Sequence, residues 1–179
     1  MNPPQNNDLT QIPVQYIILD TNILQYTGNK DIAVALITFL SELVQRGFKL
    51  AISDISIYES LCGTTISQEI EIIETLKLFP NYQITNDVLI ASSRLSTLYK
   101  NEGVPISQVE IPDKIIASTA ILNNSLVLTA NVNDFPRPFF AEAEIRHVLF
   151  RKNSKDHLLS VMLLRPDLAV ILDRFSKRP

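Results

Sequence analysis

Tyr16-Ile17-Ile18-Leu19-Asp20-Thr21-Asn22 is a short apolar run that ends abruptly in a carboxylate, a hydroxyl and an amide. Its length and its β-branched, aromatic content suit a buried strand. A strand that delivers an Asp at its carboxyl end is a site-building device in α/β folds, where ligands gather outside the carboxyl ends of the strands. Taken alone, Asp20 reads equally well as a turn residue. Its meaning depends on whether the rest of the chain brings other acids to the same place.

Downstream, Gly28 and Asn29 mark a turn, and Ile32, Leu36, Phe39, Leu40 and Leu43 recur at helical spacing over 31–46, with Gly47 as the stop. Residues 49–53 form a second short apolar run. Ser53 or Asp54 is positioned to cap the following helix, which carries Tyr58, Glu59 and Leu61. A further helix is predicted over 67–79, where Glu69, Glu71 and Glu74 read as a solvated face. A short strand over 82–85 and a helix over 86–101 come next. Pro112-Asp113 opens a helix to residue 123, with proline where its missing N–H costs nothing. Residues 126–129 give a fourth strand, 131–138 a loop, 146–150 a strand and 168–175 a terminal helix. Strands alternating with helices predict a parallel sheet between helical layers.

The composition agrees with one soluble domain: 46% hydrophobic and 20% charged residues are neither a disordered nor a membrane balance. No apolar run approaches the roughly 20 residues a membrane span needs. Residues 1–14, rich in Pro, Gln and Asn, lack the basic start and apolar centre of a signal peptide and read as a flexible tail. Cys62 is the one cysteine, which rules out an intrachain disulfide, suits a cytoplasmic location and reads as a small core residue. The net charge of −3 hides an asymmetry. Residues 1–134 carry 7 Lys and Arg against 14 Asp and Glu, whereas 135–179 carry 9 against 5.

Polar groups able to bind a cation fall at four element ends: Asp20 with Thr21 and Asn22, Glu59, Asp113, and the loop holding Asn131 and Asp134. In a parallel sheet Asp20 and the 131–134 loop share one edge. Several carboxylates there cannot all stay ionised unless cations neutralise them. Hard oxygen donors suit Mg²⁺ or Mn²⁺ over Zn²⁺, and His147 and His157 are isolated from any Cys/His cluster. Acids that hold divalent cations fit phosphodiester hydrolysis, in which metals activate water and stabilise the leaving oxygen. The glycine-rich phosphate loops and the nucleophile elbow are absent, and glycine is scarce at 4 residues.

Four stretches in order, Leu19-Asp20-Thr21-Asn22, Ile57-Tyr58-Glu59, the helix start Pro112-Asp113 running to Ala120, and Leu128-Thr129 through Asp134-Phe135, resemble the PIN-domain ribonucleases found as toxins in VapBC toxin–antitoxin pairs. The resemblance covers about residues 15–150. It implies a three-layer α/β/α sandwich with a central, mostly parallel sheet, and Mg²⁺- or Mn²⁺-dependent endonucleolytic cleavage of RNA. It further implies an antitoxin partner, and homodimers are common among such domains. Carried over residue by residue, Asp20, Glu59 and Asp113 are the core carboxylates. The fourth ligand falls at either end of a three-residue step, with Asp134 supplying the acid and Asn131 assisting. Thr21, Asn22 and Thr129 orient ligands from behind.

The 151–179 stretch extends past the usual last strand of that family. Its Leu158, Leu159, Val161, Leu163 and Leu164 predict a helical extension packing on the domain, and its cations Arg151, Lys152, Lys155, Arg165, Arg174, Lys177 and Arg178 are a set that can also contact RNA phosphates. A second reading of the whole chain is a catalytically weak PIN-like domain serving as an RNA-binding or protein-interaction module, motivated by a neutral Asn131 where the family pattern allows an acid.

Overall fold

The computed structural model describes residues 15–105, 107–152 and 154–177, so the tail expected at 1–14 lies outside the described residues. The opening run folds as β1 (Tyr16–Leu19), followed by α1 (Thr21–Thr27), α2 (Ala33–Gln45), β2 (Lys49–Ser53), α3 (Asp54–Leu61), α4 (Ile66–Leu76) and β3 (Asn81–Tyr82). The second half comprises α5 (Asn86–Asn101), α6 (Ile111–Leu122), β4 (Leu126–Thr129), β5 (Phe140–Lys152), β6 (Lys155–Pro166) and α7 (Leu168–Ser176). The strands form one sheet in the order β3-β2-β1-β4-β6-β5. β3, β2, β1 and β4 are parallel, and β6 and β5 are antiparallel additions beside β4.

Because successive side chains of a strand point to opposite faces, β1 feeds two cores at once. Ile17 and Leu19 pack with Leu36, Phe39 and Leu43 of α2 and Leu76 of α4. Ile18 packs with Leu95 and Tyr99 of α5 and with Ile116 and Ala120 of α6. β4 repeats the division: Leu126 and Leu128 belong to the first core and Val127 to the second. A sheet buried on both faces needs helices on both sides. The α/β/α sandwich with a mostly parallel sheet follows from this, as the alternation of elements predicts.

The described structure departs from the sequence expectations in three places. The apolar run of 158–164 is the strand β6, not a helix. Its Leu163 faces one core and its Leu164 the other. A strand buried on both faces shows a continuous apolar run instead of alternation, which periodicity cannot separate from a buried helix. A helix does close the chain, but only from Leu168, capped by the Asp167 carboxylate, which accepts from the Val170 N–H at 3.0 Å. Second, Cys62 is exposed. It follows α3, a helix that buries only Ser56 fully, and the positive φ of Gly63 (76°) turns the chain away there. Third, neither Ser53 nor Asp54 caps α3. Asp54 instead accepts from Asn81 Nδ2 and from the Ile84 N–H at 3.0 Å, fastening the β3 segment to the end of β2.

Candidate metal centre at the carboxyl edge

β1 and β4 are neighbours in register, Leu19 opposite Leu128, and the Asp20 N–H continues the ladder to the Leu128 carbonyl at 3.0 Å. Asp20 therefore leaves β1 level with Thr129, the last residue of β4. The Thr129 hydroxyl donates to Asp20 Oδ2 at 2.6 Å, and Asn22 Nδ2 donates to the same oxygen at 2.6 Å. Asn22 Nδ2 also reaches Thr129 Oγ1 at 3.2 Å, while its Oδ1 accepts from the Ala130 N–H at 3.1 Å. Thr129 Oγ1 accepts in addition from the Asn131 N–H at 2.9 Å. Each polar atom in this knot serves two elements, so Asp20, only 3% exposed, is fixed in position and not merely buried.

The other acids arrive from three directions. Thr21, in the first turn of α1, donates its hydroxyl to Glu59 Oε2 of α3 at 2.6 Å. Asp113 stands in the first turn of α6, behind Pro112. Asp134 lies in the 3-10 turn Val132–Asp134 and accepts from Asn131 Nδ2 at 2.7 Å. An ionised carboxylate offers no donor, which fixes the sense of that bond.

The acids share one electrostatic environment. Burial first, and then the charges of Asp134, Asp20, Glu59 and Glu110, push Asp113 up to about 7. Burial, then Asp20 and Glu110, push Asp134 up to about 6, against the Asn131 hydrogen bond. Glu59 is raised by burial, with the Thr21 hydroxyl opposing and Asp20 and Glu110 adding to the rise. Asp20 is raised by burial, with the Thr129 hydroxyl as the main opposing influence. Carboxylates that resist ionisation through burial and, for Glu59, Asp113 and Asp134, through neighbouring charge are a set a cation would relieve.

Whether the set fits a divalent cation is decided by donor chemistry. Its donors are oxygens, the hard ligands that Mg²⁺ and Mn²⁺ take. Among the described residues, however, no three His, Cys, Asp or Glu side chains are gathered closely enough to hold a metal ion. The acids feel one another's charge without forming such a group. The donor types are those that suit Mg²⁺ or Mn²⁺.

Two neighbours escaped the sequence reading. Glu110, the N-cap residue of α6, adds its charge to Glu59, Asp113 and Asp134. Its place three residues before Asp113 was the available signal. Tyr99, read from the sequence as an apolar mark on its helix, is buried, and its hydroxyl has no hydrogen-bond partner among the described residues. Burial and then the charges of Asp113 and Asp134 hold its phenol neutral. Only the hydroxyl on an otherwise apolar helix face hinted at this.

The chain is 30% identical over 97 residues to Ribonuclease VapC19 of Mycobacterium tuberculosis, a match spanning 54% of this chain and 75% of that protein. It belongs to the VapC-like PIN-domain family. No family model matches the chain. Among solved structures, VapBC2 of Rickettsia felis bound to a promoter DNA fragment superposes with a TM-score of 0.56 at 23% identity, covering 68% of this chain and 91% of that one. A toxin–antitoxin complex from Klebsiella pneumoniae gives 0.52 at 26% identity, covering 68% and 92%. About a third of this VapC-like chain is thus left outside each superposition, whereas the neighbours are covered nearly whole.

Proposed function

We infer that the chain is a Mg²⁺- or Mn²⁺-dependent endoribonuclease that hydrolyses RNA phosphodiester bonds in the cytoplasm and acts as the toxin of a toxin–antitoxin pair. One observation carries the reading: Asp20, Glu59, Asp113 and Asp134 come from four separate elements at the carboxyl edge of the sheet, and the Asp20 charge adds to burial in raising the other three. Family membership and the ribonuclease name of the matched relative support it.

In this mechanism Asp20, Glu59, Asp113 and Asp134 would hold the cation, with Asn131 assisting. A divalent cation bound there supplies an activated water and charge neutralisation at the leaving oxygen. The remaining work belongs to the chain. Thr129 and Asn22 aim the Asp20 carboxylate by fixing its Oδ2, and Thr21 does the same for Glu59. Asn131 orients Asp134. The deciding experiment is RNA cleavage with Mg²⁺ or Mn²⁺ by the wild type, Asp20→Asn and Asp113→Asn; unchanged activity in both variants removes the assigned mechanism.

The antitoxin has a surface to occupy. A groove of about 1180 Å³ between α1–α2 and α3–α4 is lined by Leu24, Ile37, Leu40, Val44, Ile72 and Leu76 and reaches Glu59. Its exposed Ile37 and Val44 make this the face we assign to such a partner.

The second reading, a PIN-like RNA-binding or protein-interaction module of weak activity, draws on the lack of a closely gathered acid group among the described residues. Calorimetric titration with Mn²⁺ separates the two: binding that Asp20→Asn abolishes supports the nuclease, and no binding at all supports the module.

A further inference from the structure

β6 lies antiparallel to β4, and their last shared pair is Thr129 opposite Met162. Residues 155–161 of β6 therefore run past the carboxyl end of β4, the same end at which Thr129 holds Asp20. They remain paired with β5 throughout, up to Lys152 opposite Lys155. At a strand rise of about 3.3 Å per residue, the two strands form an arm that rises roughly 23 Å beyond the edge carrying the acids.

The arm is packed for most of its length and exposed at its tip. Arg146 pairs with Glu42 of α2 and lies over the Phe39 ring, Val148 and Val161 are buried in the first core, and Phe150 and Leu159 pack against it. His157, opposite Phe150, is exposed and stacks on it with ring centroids 5.3 Å apart and planes at 23°, and Arg151, Lys152 and Lys155 beyond them are exposed. Arg151 is 3.8 Å from Asp156, an exposed pair. Lys152 and Lys155 are direct cross-strand partners. Like charges opposite each other weaken a hairpin, and a local cost of this kind is characteristic of positions kept for binding. An anion between the two lysines removes the cost.

We propose that the β5–β6 arm is a backbone clamp for the nucleic-acid strand leading away from the acidic edge, with Lys152 and Lys155 as its phosphate contacts. The charge distribution is complementary to that task. A polyanion is repelled by the carboxylates unless cations cover them, and a basic arm extending from the same sheet edge supplies attraction away from them. This rests on the nuclease reading for the identity of the strand, not for the existence of the clamp.

The test uses the full chain, a short fluorescein-labelled single-stranded RNA as the probe, and fluorescence anisotropy in EDTA across a KCl series. Lys152→Glu/Lys155→Glu is expected to weaken binding by roughly tenfold or more at low salt. Lys152→Ala/Lys155→Ala is expected to make the log–log salt dependence shallower by about 1.4, since each phosphate contact on a single strand contributes about 0.7. Unchanged affinity and slope in both variants overturn the proposal. So does unchanged RNA binding with a Leu149→Glu/Leu158→Glu variant that turns a sedimenting dimer into a monomer, because the arm is then a contact between copies. The two readings fail separately. Cleavage with Mg²⁺ that is independent of the lysines removes the clamp and keeps the nuclease. Lysine-dependent binding without cleavage does the reverse.

Discussion

The carboxyl edge and the β5–β6 arm hold opposite charge in opposite ways. At the edge, Asp20 is nearly sealed from water and its Oδ2 is held by two short donors, each of which is itself held. At the arm tip the cations are solvated, and Arg151 has only an exposed partner at 3.8 Å. A buried charge must be positioned to be tolerated, so it is specific; an exposed one is cheap and adaptable. One region is therefore suited to fixing a reaction centre and the other to gripping a chain of varied sequence.

The largest effect that would break this contrast lies at the edge. Asp20→Asn or Asp113→Asn is expected to lower RNA cleavage by about two to three orders of magnitude, the scale on which one preorganised electrostatic group acts. A rate within a factor of a few of wild type would show that the wiring serves stability alone.

Thr129→Val comes next. It deletes a fully buried hydroxyl that donates to Asp20 and accepts from Asn22 and Asn131. Losing a hydrogen bond to a charged group costs about 1.5–3 kcal/mol, so the denaturant midpoint should fall accordingly. Mn²⁺ affinity, measured calorimetrically, should drop roughly 10- to 100-fold, as for other groups that support a metal ligand. An unchanged affinity would mean that Asp20 is oriented by other means.

The pH dependence of stability sharpens the same side. Asp113 and Asp134 hold their protons to about 7 and about 6 in the folded chain, against a reference of 3.8. Between about pH 4 and about pH 7 the folded state thus binds more protons than the unfolded one, and stability falls as pH rises through that window. In EDTA the melting temperature should decline over this range, and Asp113→Asn should flatten the decline. Added Mg²⁺ should raise the melting temperature more at pH 7 than at pH 5, because only deprotonated acids bind it. A flat profile for the wild type would show that folding does not raise the proton affinity of these acids.

The smallest effect belongs to the arm: Lys152→Ala/Lys155→Ala is expected to leave the melting temperature unchanged or slightly raised, by relief of the facing like charges. A marked fall would mean that the lysines serve the fold.

The parts of the site legible in the sequence were those carried by local signals. An apolar run ending in Asp20, a Pro-Asp helix start at Asp113 and a polar loop after Leu128 each announce an element end. The alternation of elements announces the layers. Glu110 and Tyr99 were not legible in this way, because their importance comes from neighbours distant in sequence. Glu110 acts on Glu59 of another helix, and Tyr99 of α5 feels the charges of Asp113 of α6 and Asp134 of the loop after β4.

The C-terminal segment shows the limit most clearly. Leu158, Leu159, Leu163 and Leu164 are good helix formers, the β-branched Val161 is not, and propensity is a weak prior once a sheet edge is available. β4 needed a partner on its open side, and β6 fills that place. By itself the sequence determined which residues end the strands in acids, since strand length and polarity are local properties of the chain. Only the tertiary structure decided that these acids share one field and that a basic arm runs past the same edge of the sheet. Both depend on which strands become neighbours, and that is settled by burial on two faces of a sheet, not by any stretch read alone.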